Sequence, residues 1–547
     1  MKHWILTGAL LSGAVVVPLG ATAVATPATA AACSATPVGA FDFAAVGRYA
    51  TAFADTPETR GENVVYEKNT MYVMNVGKID VVDISDPANP APTGTLLVPG
   101  EPTSVAVKNG LVAVSVPATP KTSAGVVVLF RGSTKVGTVT VGANPDMVTF
   151  THDGALLLVA NEGEPNSYGL ADSVDPEGSV SVIVTQPFRT RGALKGNVVV
   201  TPSTIAFTDF NVGGSRHASL PADVRIYGPG ATVAQDLEPE YITVAEDNRT
   251  AWVTLQENNA VAKLDLRARR VTSIVALGYA DHSVAGHGID ASDQNNLAVN
   301  IATWPVKGIY SPDGIANYES KGKRYIVTAN EGDARDWPGI NAAGAEYNRA
   351  RSVADLTLFP SANVNNDLGR LNVTQFFPAT KNDAGKLTSL YSAGSRSFSI
   401  RTADGAMVWD SGDVIECITA DLVPEFFNAS NSNNTKKNRS DDKGPEPEIV
   451  VVGEVERYVN GREVERDLAF VGLERIGGVM VFDITDPTAP VFQQYLRTRD
   501  FTALPTATDS GPEGMTFIEA DDSPSGKAML LVGNEVSGTV NIFELTN

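Results

Sequence analysis

A template of three short strands recurs along this 547-residue chain and constrains its fold more than any other feature. The full template has a proline and an acidic residue, a β-branched strand, a turn, an apolar strand that ends in Asn or Gln before Glu, and a third strand. Residues 239–266 show it in full as PEYITVAEDNRTAWVTLQENNAVAKLDL. Repeats of about 40 residues built from short antiparallel strands are typical of β-propellers. The template therefore predicts an all-β fold.

The number and spacing of the copies predict one ring. Seven copies begin near Glu62, Glu101, Asn144, Glu238, Ser311, Glu446 and Gly511. We predict a single seven-bladed propeller over residues 31–547, with loop insertions at about 188–235 and 337–440. The polar tract NASNSNNTKKNRSDD, residues 428–442, is expected to be a mobile loop. Phe41, Asp42 and Phe43 are expected to add an outer strand to the last blade.

The N-terminus predicts export. Lys2 and His3 precede the apolar run ILTGALLSGAVVVPLG, and ATPATAA offers small residues for cleavage near Ala30. This order is typical of a signal peptide over residues 1–30, and a membrane anchor is the weaker interpretation. The chain ends at FELTN without a sorting segment, so we expect a secreted protein that is released. Cys33 and Cys417 could pair after export or stay separate.

The charge of the chain limits its partners. Asp and Glu number 63 against 42 Lys and Arg, which gives a net charge of −21. Nucleic acids and anionic membranes attract positive charge, so neither is expected as a partner. This net negative charge is compatible with cation binding, and many secreted proteins carry a similar charge merely for solubility.

Acidic residues occupy two fixed positions in the template. In a propeller the first strand of each blade lines the central channel, and the second strand returns to the same rim. An acid before the first strand and a Glu after the second should therefore meet there. The pairs are Asp146 with Glu162, Glu240 with Glu257, Asp313 with Glu331, Glu448 with Glu474, and Glu513 with Glu535. Glu62 is a candidate for an incomplete sixth pair, and Asp333 follows Glu331 in NEGDAR.

About ten carboxylates in one funnel predict a metal site. Like charges resist joint ionisation unless cations lie among them. Carboxylate and Asn oxygens are ligands of hard cations, calcium first and magnesium or manganese next. The alternative is that each Glu caps backbone amides or pairs with a basic residue and keeps the repeats in register. Asp172, Asp175 and Glu177 form a second candidate cation site or an ordinary turn.

Basic residues in the same motifs suggest an anion. Arg335 in NEGDAR and Arg475 in GLER are candidates to contact a phosphate or sulfate oxyanion beside the cation, or to form structural ion pairs. The five histidines form no recognisable triad or zinc motif, and G-x-S-x-G is absent. Weaker candidates are Arg216 and His217 for an oxyanion, and Asp281, His282 and His287 for a metal.

Several long motifs together resemble one family. The segments LEPEYITV, YIVTANEGDARD, SDDKGPEPE and GPEGM are similar to those of the choice-of-anchor I family, and the likeness covers roughly residues 41–547. These are secreted bacterial β-propellers, similar to mesenchyme-specific cell-surface glycoproteins, and some relatives carry an alkaline phosphatase label. The resemblance implies an extracellular, calcium-associated propeller.

Two functions follow as hypotheses. The first is a metal-dependent phosphoesterase, in which the acidic residues hold the cation, Arg335 and Arg475 contact the oxyanion, and activated water is the nucleophile. The second is a non-catalytic, calcium-stabilised module that binds a partner protein, a glycan or a mineral surface. Turnover of a phosphate ester distinguishes them.

Overall fold

The computed structural model describes residues 41–51, 61–189, 200–294, 298–459 and 462–546. The predicted signal peptide and Cys33 lie outside these residues. Within them, strands form seven four-stranded antiparallel sheets, and smaller strands and helices lie in the connections.

The first four sheets follow one another in the sequence. Sheet 1 consists of Val64–Glu67, Thr70–Asn75, Lys78–Asp83 and Ala91–Leu97. Sheet 2 consists of Ser104–Lys108, Leu111–Val116, Ala124–Arg131 and Thr134–Ala143. Sheet 3 consists of Pro145–Phe150, Leu156–Asn161, Ser179–Val184 and Ser203–Ala206. Sheet 4 consists of Pro239–Val244, Thr250–Leu255, Ala260–Asp265 and Arg270–Ala276.

The last three sheets contain the longer connections. Sheet 5 consists of Ile315–Ser320, Lys323–Ala329, Phe398–Thr402 and Met407–Asp410. Sheet 6 consists of Pro447–Val459, Arg462–Leu473, Val479–Asp483 and Val491–Leu496. Sheet 7 consists of Pro512–Ile518, Met529–Asn534, Thr539–Leu545 and the N-terminal strand Phe43–Ala50. Two strands of sheet 5 thus come from the predicted insertion 337–440.

The first strands of the sheets surround a central channel. Each of them contacts the first strands of the preceding and the following sheet, and sheet 7 contacts sheet 1 in the same way. Direct hydrogen bonds join neighbours, for example from Thr516 Oγ1 to the Val64 carbonyl at 2.6 Å. The channel that these strands line has a volume of about 630 Å³. The predicted all-β propeller class is confirmed.

The N-terminal strand joins the two ends of the chain. Phe43–Ala50 pairs antiparallel with Thr539–Leu545, and Phe43 lies opposite Leu545. The Phe43 ring packs edge-on against Phe470 of sheet 6, with 5.3 Å between the ring centroids. The prediction that this segment adds an outer strand to the last blade is confirmed.

Short turns join the strands within a sheet. Asn109 and Gly110 connect the first two strands of sheet 2 with φ of 54° and 70°. Two consecutive residues with positive φ form a type I′ turn, whose twist matches that of the hairpin. Asn and Gly adopt this conformation at least cost, which explains the Asn-Gly dipeptide at this point.

The longer connections, between sheets and within sheet 5, contain short paired strands of their own. These strands are Tyr279–Asp281, Ile289–Asp290, Ile301–Ala302, Lys307–Ile309, Tyr347–Arg349, Asn372–Thr374 and Tyr391–Ser392. The helices and helical turns in the described part of the chain are Gln186–Arg189, Thr208–Phe210, His217–Ser219, Val233–Asp236, Ala350–Val353, Pro360–Asn363, Val414–Leu422 and Pro505–Ala507. No helix in the described ranges is long and apolar enough to cross a membrane.

About half of the polar tract 428–442 is buried, including its two ends, which corrects the expectation of a mobile loop. Asn428 Nδ2 donates to Glu416 Oε1 at 2.7 Å, and Lys437 Nζ lies 2.9 Å from Asp290 Oδ2. Asn428 and Lys437 are both fully buried. The amide and ammonium groups that suggest disorder in the sequence have partners in the fold, and their hydrogen bonds order the tract.

Cys417 is disulfide-bonded, and no cysteine in the described ranges is free. The chain contains one other cysteine, Cys33, which lies outside the described residues.

Candidate metal centre

Carboxylates ring the mouth of the central channel. They precede or begin the first strands of six sheets, and sheet 2 has Thr103 at this position. The six are Glu62, Asp146, Glu240, Asp313, Glu448 and Glu513. Together with Thr103 they line a cavity of about 290 Å³. The predicted convergence of the strand-start acids is therefore present in the fold.

In the Asn-Glu-Gly segment of sheet 5, the Asn and the Gly stabilise the fold and the Glu lines the cavity. Asn330 is fully buried, and its Nδ2 donates to Ser397 Oγ at 3.2 Å and Ser399 Oγ at 2.8 Å, which ties the second strand of sheet 5 to the third. Glu331 follows and lines the cavity. Gly332 has φ +97°, and a Cβ there would lie 2.0 Å from the Gly394 nitrogen. Only glycine fits this close approach.

Asn330→Ala should lower the free energy of unfolding by about 1–3 kcal/mol, because it leaves buried hydroxyl groups without their donor. The measurement is urea unfolding of the variant against the wild type. Asn341→Ala is the control, since Asn341 lies in a partly exposed turn. Equal stability of the Asn330 variant and the wild type would contradict this role.

Three acids form a first triad, Asp146, Glu162 and Glu240. Each offers one oxygen, and the three oxygens lie within 4.8 Å of one another. Asn144 Nδ2 donates to Glu162 Oε2 at 2.6 Å. Among the described residues, no Lys, Arg or His forms an ion pair with any of the three acids. Lys121 pairs with Glu164 at 3.3 Å and is 64% exposed, and it acts on Asp146 and Glu162 through its charge without an ion pair.

Three other acids form a second triad, Glu331, Glu448 and Glu474, with the same limit of 4.8 Å between their oxygens. Here basic side chains are present. Lys443 Nζ contacts Glu331 Oε1 directly, and Arg475 Nη1 lies 2.9 Å from Glu474 Oε1. The two triads therefore have the same spacing of carboxylate oxygens, but only the second forms ion pairs with basic side chains of the described structure.

Burial and mutual repulsion raise the pKa values of the ring. Burial, with Glu164 as the next cause, raises the pKa of Asp146 to about 7, and burial raises that of Asp313 to about 8. The pKa of Glu240 is raised well above its usual value by burial and then by Glu162 and Glu257. Burial also acts on Glu446, but Lys443, Arg475 and Arg439 hold its pKa below the usual range.

These raised pKa values predict how stability depends on pH. The folded protein binds protons more tightly at these carboxylates than the unfolded chain does, so the cation-free protein should lose stability as pH rises from about 4 to about 8. Thermal unfolding in a chelator across this range measures the effect. A cation that replaces the protons should offset the loss, and its stabilising effect should grow with pH. A chelated protein that gains stability across this range would contradict the prediction.

Arg335 lies outside the cavity. Its Nη1 and Nη2 donate to the side chain and the carbonyl of Asp236, both at 2.6 Å, and its Nε donates to Glu238 Oε2 at 3.0 Å. The guanidinium carbon lies 4.6 Å from the centroid of the Tyr227 ring, and 1% of the side chain is exposed. The structure thus places Arg335 in an internal ion-pair network, with its donors facing carboxylates of the chain. Arg475, in contrast, lines the cavity.

The remaining predicted acids take different positions. Glu257 is buried, its Oε2 has no hydrogen-bond partner in the described structure, and burial raises its pKa to about 7. Asp333 lines the cavity with 57% of its side chain exposed. Glu513 and Glu535 both line the cavity, and Asn431 Nδ2 donates to Glu535 Oε1 at 3.3 Å.

The weaker sequence candidates do not converge. Arg216 donates to backbone carbonyls, including that of Thr272 at 2.7 Å. His282 is buried against the His287 carbonyl at 2.7 Å, and burial lowers its pKa to about 4.

A further group of acids was not anticipated from the sequence. In the described ranges, the possible metal-binding groups are the two triads and an exposed one on the sheet 6 hairpin, Glu454, Glu456 and Glu465. The turn that contains Asp172, Asp175 and Glu177 does not form one. The only signal for the hairpin group is the alternation of Glu in EVERYVNGREVER.

The family follows from a match that contains both triads. The model of the choice-of-anchor I domain matches residues 62–487. The chain belongs to the choice-of-anchor I family. The matched residues run from the first acid of the ring to the turn before the last strand of sheet 6.

Two curated proteins are similar to this choice-of-anchor I chain. Gigasin-3a of Magallana gigas is 28% identical over 176 residues, which are 29% of this chain and 59% of that protein. The mesenchyme-specific cell surface glycoprotein of Strongylocentrotus purpuratus is 26% identical over 364 residues, which are 59% of this chain and 45% of that protein. The chain spans about half the length of the curated relatives it matches.

Solved structures show a more distant likeness. Hydrazine synthase of Kuenenia stuttgartiensis matches with 13% identity and a TM-score of 0.42, covering 90% of this chain and 96% of that one. The Cps50 (Swd1) β-propeller domain of Myceliophteria thermophila matches with 8% identity and a TM-score of 0.41, covering 91% and 100%. Nothing about function follows from likenesses this weak.

Proposed function

We propose that this protein is an extracellular binding module whose channel mouth holds a divalent cation, calcium first, at Asp146, Glu162 and Glu240. The observation that carries the proposal is the first triad. Three carboxylate oxygens converge there within 4.8 Å, and no basic residue in the described structure pairs with them.

The physical argument concerns charge. Three partly buried carboxylates at this distance cannot all be ionised unless a proton or a cation compensates them. A divalent cation compensates most of the charge and uses oxygens that have few other partners. In the described structure, no side-chain or backbone donor bonds to the carboxylates of Asp146 and Glu240.

The donor set fits a hard cation. All three ligands are carboxylates, without the imidazole or thiolate groups that zinc and copper prefer. Calcium accepts six to eight oxygens in irregular geometry, so three carboxylates and water from the cavity suit it. Magnesium demands stricter octahedral geometry and usually keeps most of its own waters.

The extracellular setting rests on two supports. The N-terminal 30 residues have the order of a signal peptide. A relative from sea urchin is named as a cell surface glycoprotein. We extend that setting to this chain, and expect its ligand to be an anionic group of a glycan, a phosphate ester or an extracellular protein.

Thermal unfolding tests the proposal. The protein is melted in a calcium chelator, then with excess calcium, and then with the same excess of magnesium. We expect calcium to raise the midpoint by several degrees, and magnesium to raise it less. Identical midpoints in chelator and in calcium would contradict the proposal.

A second candidate, phosphate-ester hydrolysis, is favoured by one observation. Arg475 lines the same cavity with 25% of its side chain exposed, so a guanidinium group is available there to an oxyanion. A cation in the first triad would supply Lewis-acid chemistry to such a substrate.

Hydrolysis of p-nitrophenyl phosphate, before and after chelation, tests this candidate. Chelator-sensitive turnover that falls in Arg475→Met would support it. Calcium-dependent stability without turnover would leave the binding module.

A further inference from the structure

Lys443 pairs with one acid of the second triad, Glu331, and with two acids beside the triad. Its Nζ contacts Glu331 Oε1, lies 3.0 Å from Glu446 Oε2 and lies 3.8 Å from Asp333 Oδ1. Its side chain is 9% exposed. An ammonium group surrounded by carboxylate oxygens supplies the positive charge that such a cluster requires.

The two triads are repeats of one arrangement. Each combines acids from the start of a first strand and the end of a second strand, and each brings three oxygens within 4.8 Å. The first triad has no basic partner in the described residues, whereas Lys443 and Arg475 both reach the second. Glu448 Oε2 of the second triad is buried without a hydrogen-bond partner in the described structure.

The lysine comes from the connection between sheets 5 and 6. It follows the tract 428–442, whose buried Asn431 donates to Glu474 Oε1 at 2.8 Å. Gly444, with φ +69°, comes next and packs against Arg396. The chain thus places the Lys443 ammonium group beside the second triad and forms no ion pair with the first triad in the described residues.

We propose that the second triad is a latent divalent-cation site, closed in the native protein because Lys443 holds Glu331 in an ion pair, so that the channel mouth binds one cation and not two. The inference rests on the proposed function only in assigning the first triad to a divalent cation. It predicts that removal of the ammonium group opens a second site.

Lys443→Met tests this with little change in side-chain volume. Bound calcium is counted by mass spectrometry after dialysis, with isothermal titration of the full chain. We expect one ion in the wild type and two in the variant. Lys443→Arg is the matched control, because it keeps the charge and should keep one ion.

The two proposals fail in different ways. One ion in both the wild type and Lys443→Met would overturn the latent site and leave the first triad intact. No ion in the wild type and one in Lys443→Met would overturn the proposed function and support the latent site. No ion in either protein would overturn both.

The variant could require calcium to fold, because Glu331 and Glu446 lose a buried partner. In that case the measurement is refolding against calcium concentration, with Lys443→Met/Glu331→Gln as the reference. Calcium-dependent refolding of the single variant supports the latent site. Its failure to refold at any calcium concentration, while the double variant folds, would overturn it.

Discussion

Asp146→Asn should abolish the rise in melting temperature that calcium causes. A ligand at about 1,000 times its dissociation constant stabilises a folded protein by about 4 kcal/mol, and the variant loses most of this when one of three charged ligands becomes an amide. In a chelator the same change should stabilise the protein at pH 8, because it removes one of the carboxylates that repel one another. The variant should therefore have the higher melting temperature in chelator, and the wild type should have the higher melting temperature in calcium.

Glu331→Gln is the matched control for this experiment. It neutralises a carboxylate of the second triad that already pairs with Lys443. We expect this variant to keep its calcium response and to be less stable in both conditions, because Lys443 loses the carboxylate that it contacts directly, although it keeps Glu446 as a close partner at 3.0 Å. An unchanged calcium response in Asp146→Asn, or its loss in Glu331→Gln alone, would contradict the assignment of the first triad.

Arg335→Met should destabilise the protein by about 3–5 kcal/mol, whatever the cation concentration. The substitution leaves Asp236 and Glu238 buried without their guanidinium partner, and unpaired buried charges are costly. Urea unfolding in chelator and in calcium measures the effect. Asp236 also accepts from the Tyr227 and Gly228 amides, so the loss extends to the connection before sheet 4.

Arg475→Met provides the comparison. Of its two ion-pair partners, Glu446 keeps Arg439 and Lys443, and Glu474 keeps the Asn431 amide at 2.8 Å. The Arg475 side chain is 25% exposed, so the loss should be about 1 kcal/mol. A smaller loss in Arg335→Met than in Arg475→Met would show that the internal network does not stabilise the fold.

The position of the acids could be predicted because it follows from a repeat. The template places one acid before the first strand and one after the second, and the propeller brings both to one rim. Asn330 and Gly332 show why the sequence around Glu331 recurs: the asparagine ties two strands, and the glycine permits a close backbone approach. Such local requirements leave a pattern in the sequence.

The division of the ring into two triads could not be predicted in this way. It depends on Lys443, which approaches Glu331 from more than a hundred residues away along the chain. Arg335 is a similar case, because it follows the Asn-Glu-Gly motif closely but pairs with Asp236 and Glu238. Long-range partners of charged side chains leave no periodic signal, so the polar tract 428–442 suggests disorder although it is hydrogen-bonded and partly buried in the fold.

The most direct test of the account is the calcium content of the native protein after dialysis against calcium-containing and then metal-free buffer, measured by mass spectrometry beside Asp146→Asn. The account predicts one calcium ion in the wild type and none in the variant. A wild-type protein without calcium, or a variant with the same content, would mean that the carboxylates of the first triad are held by protons and do not bind a cation.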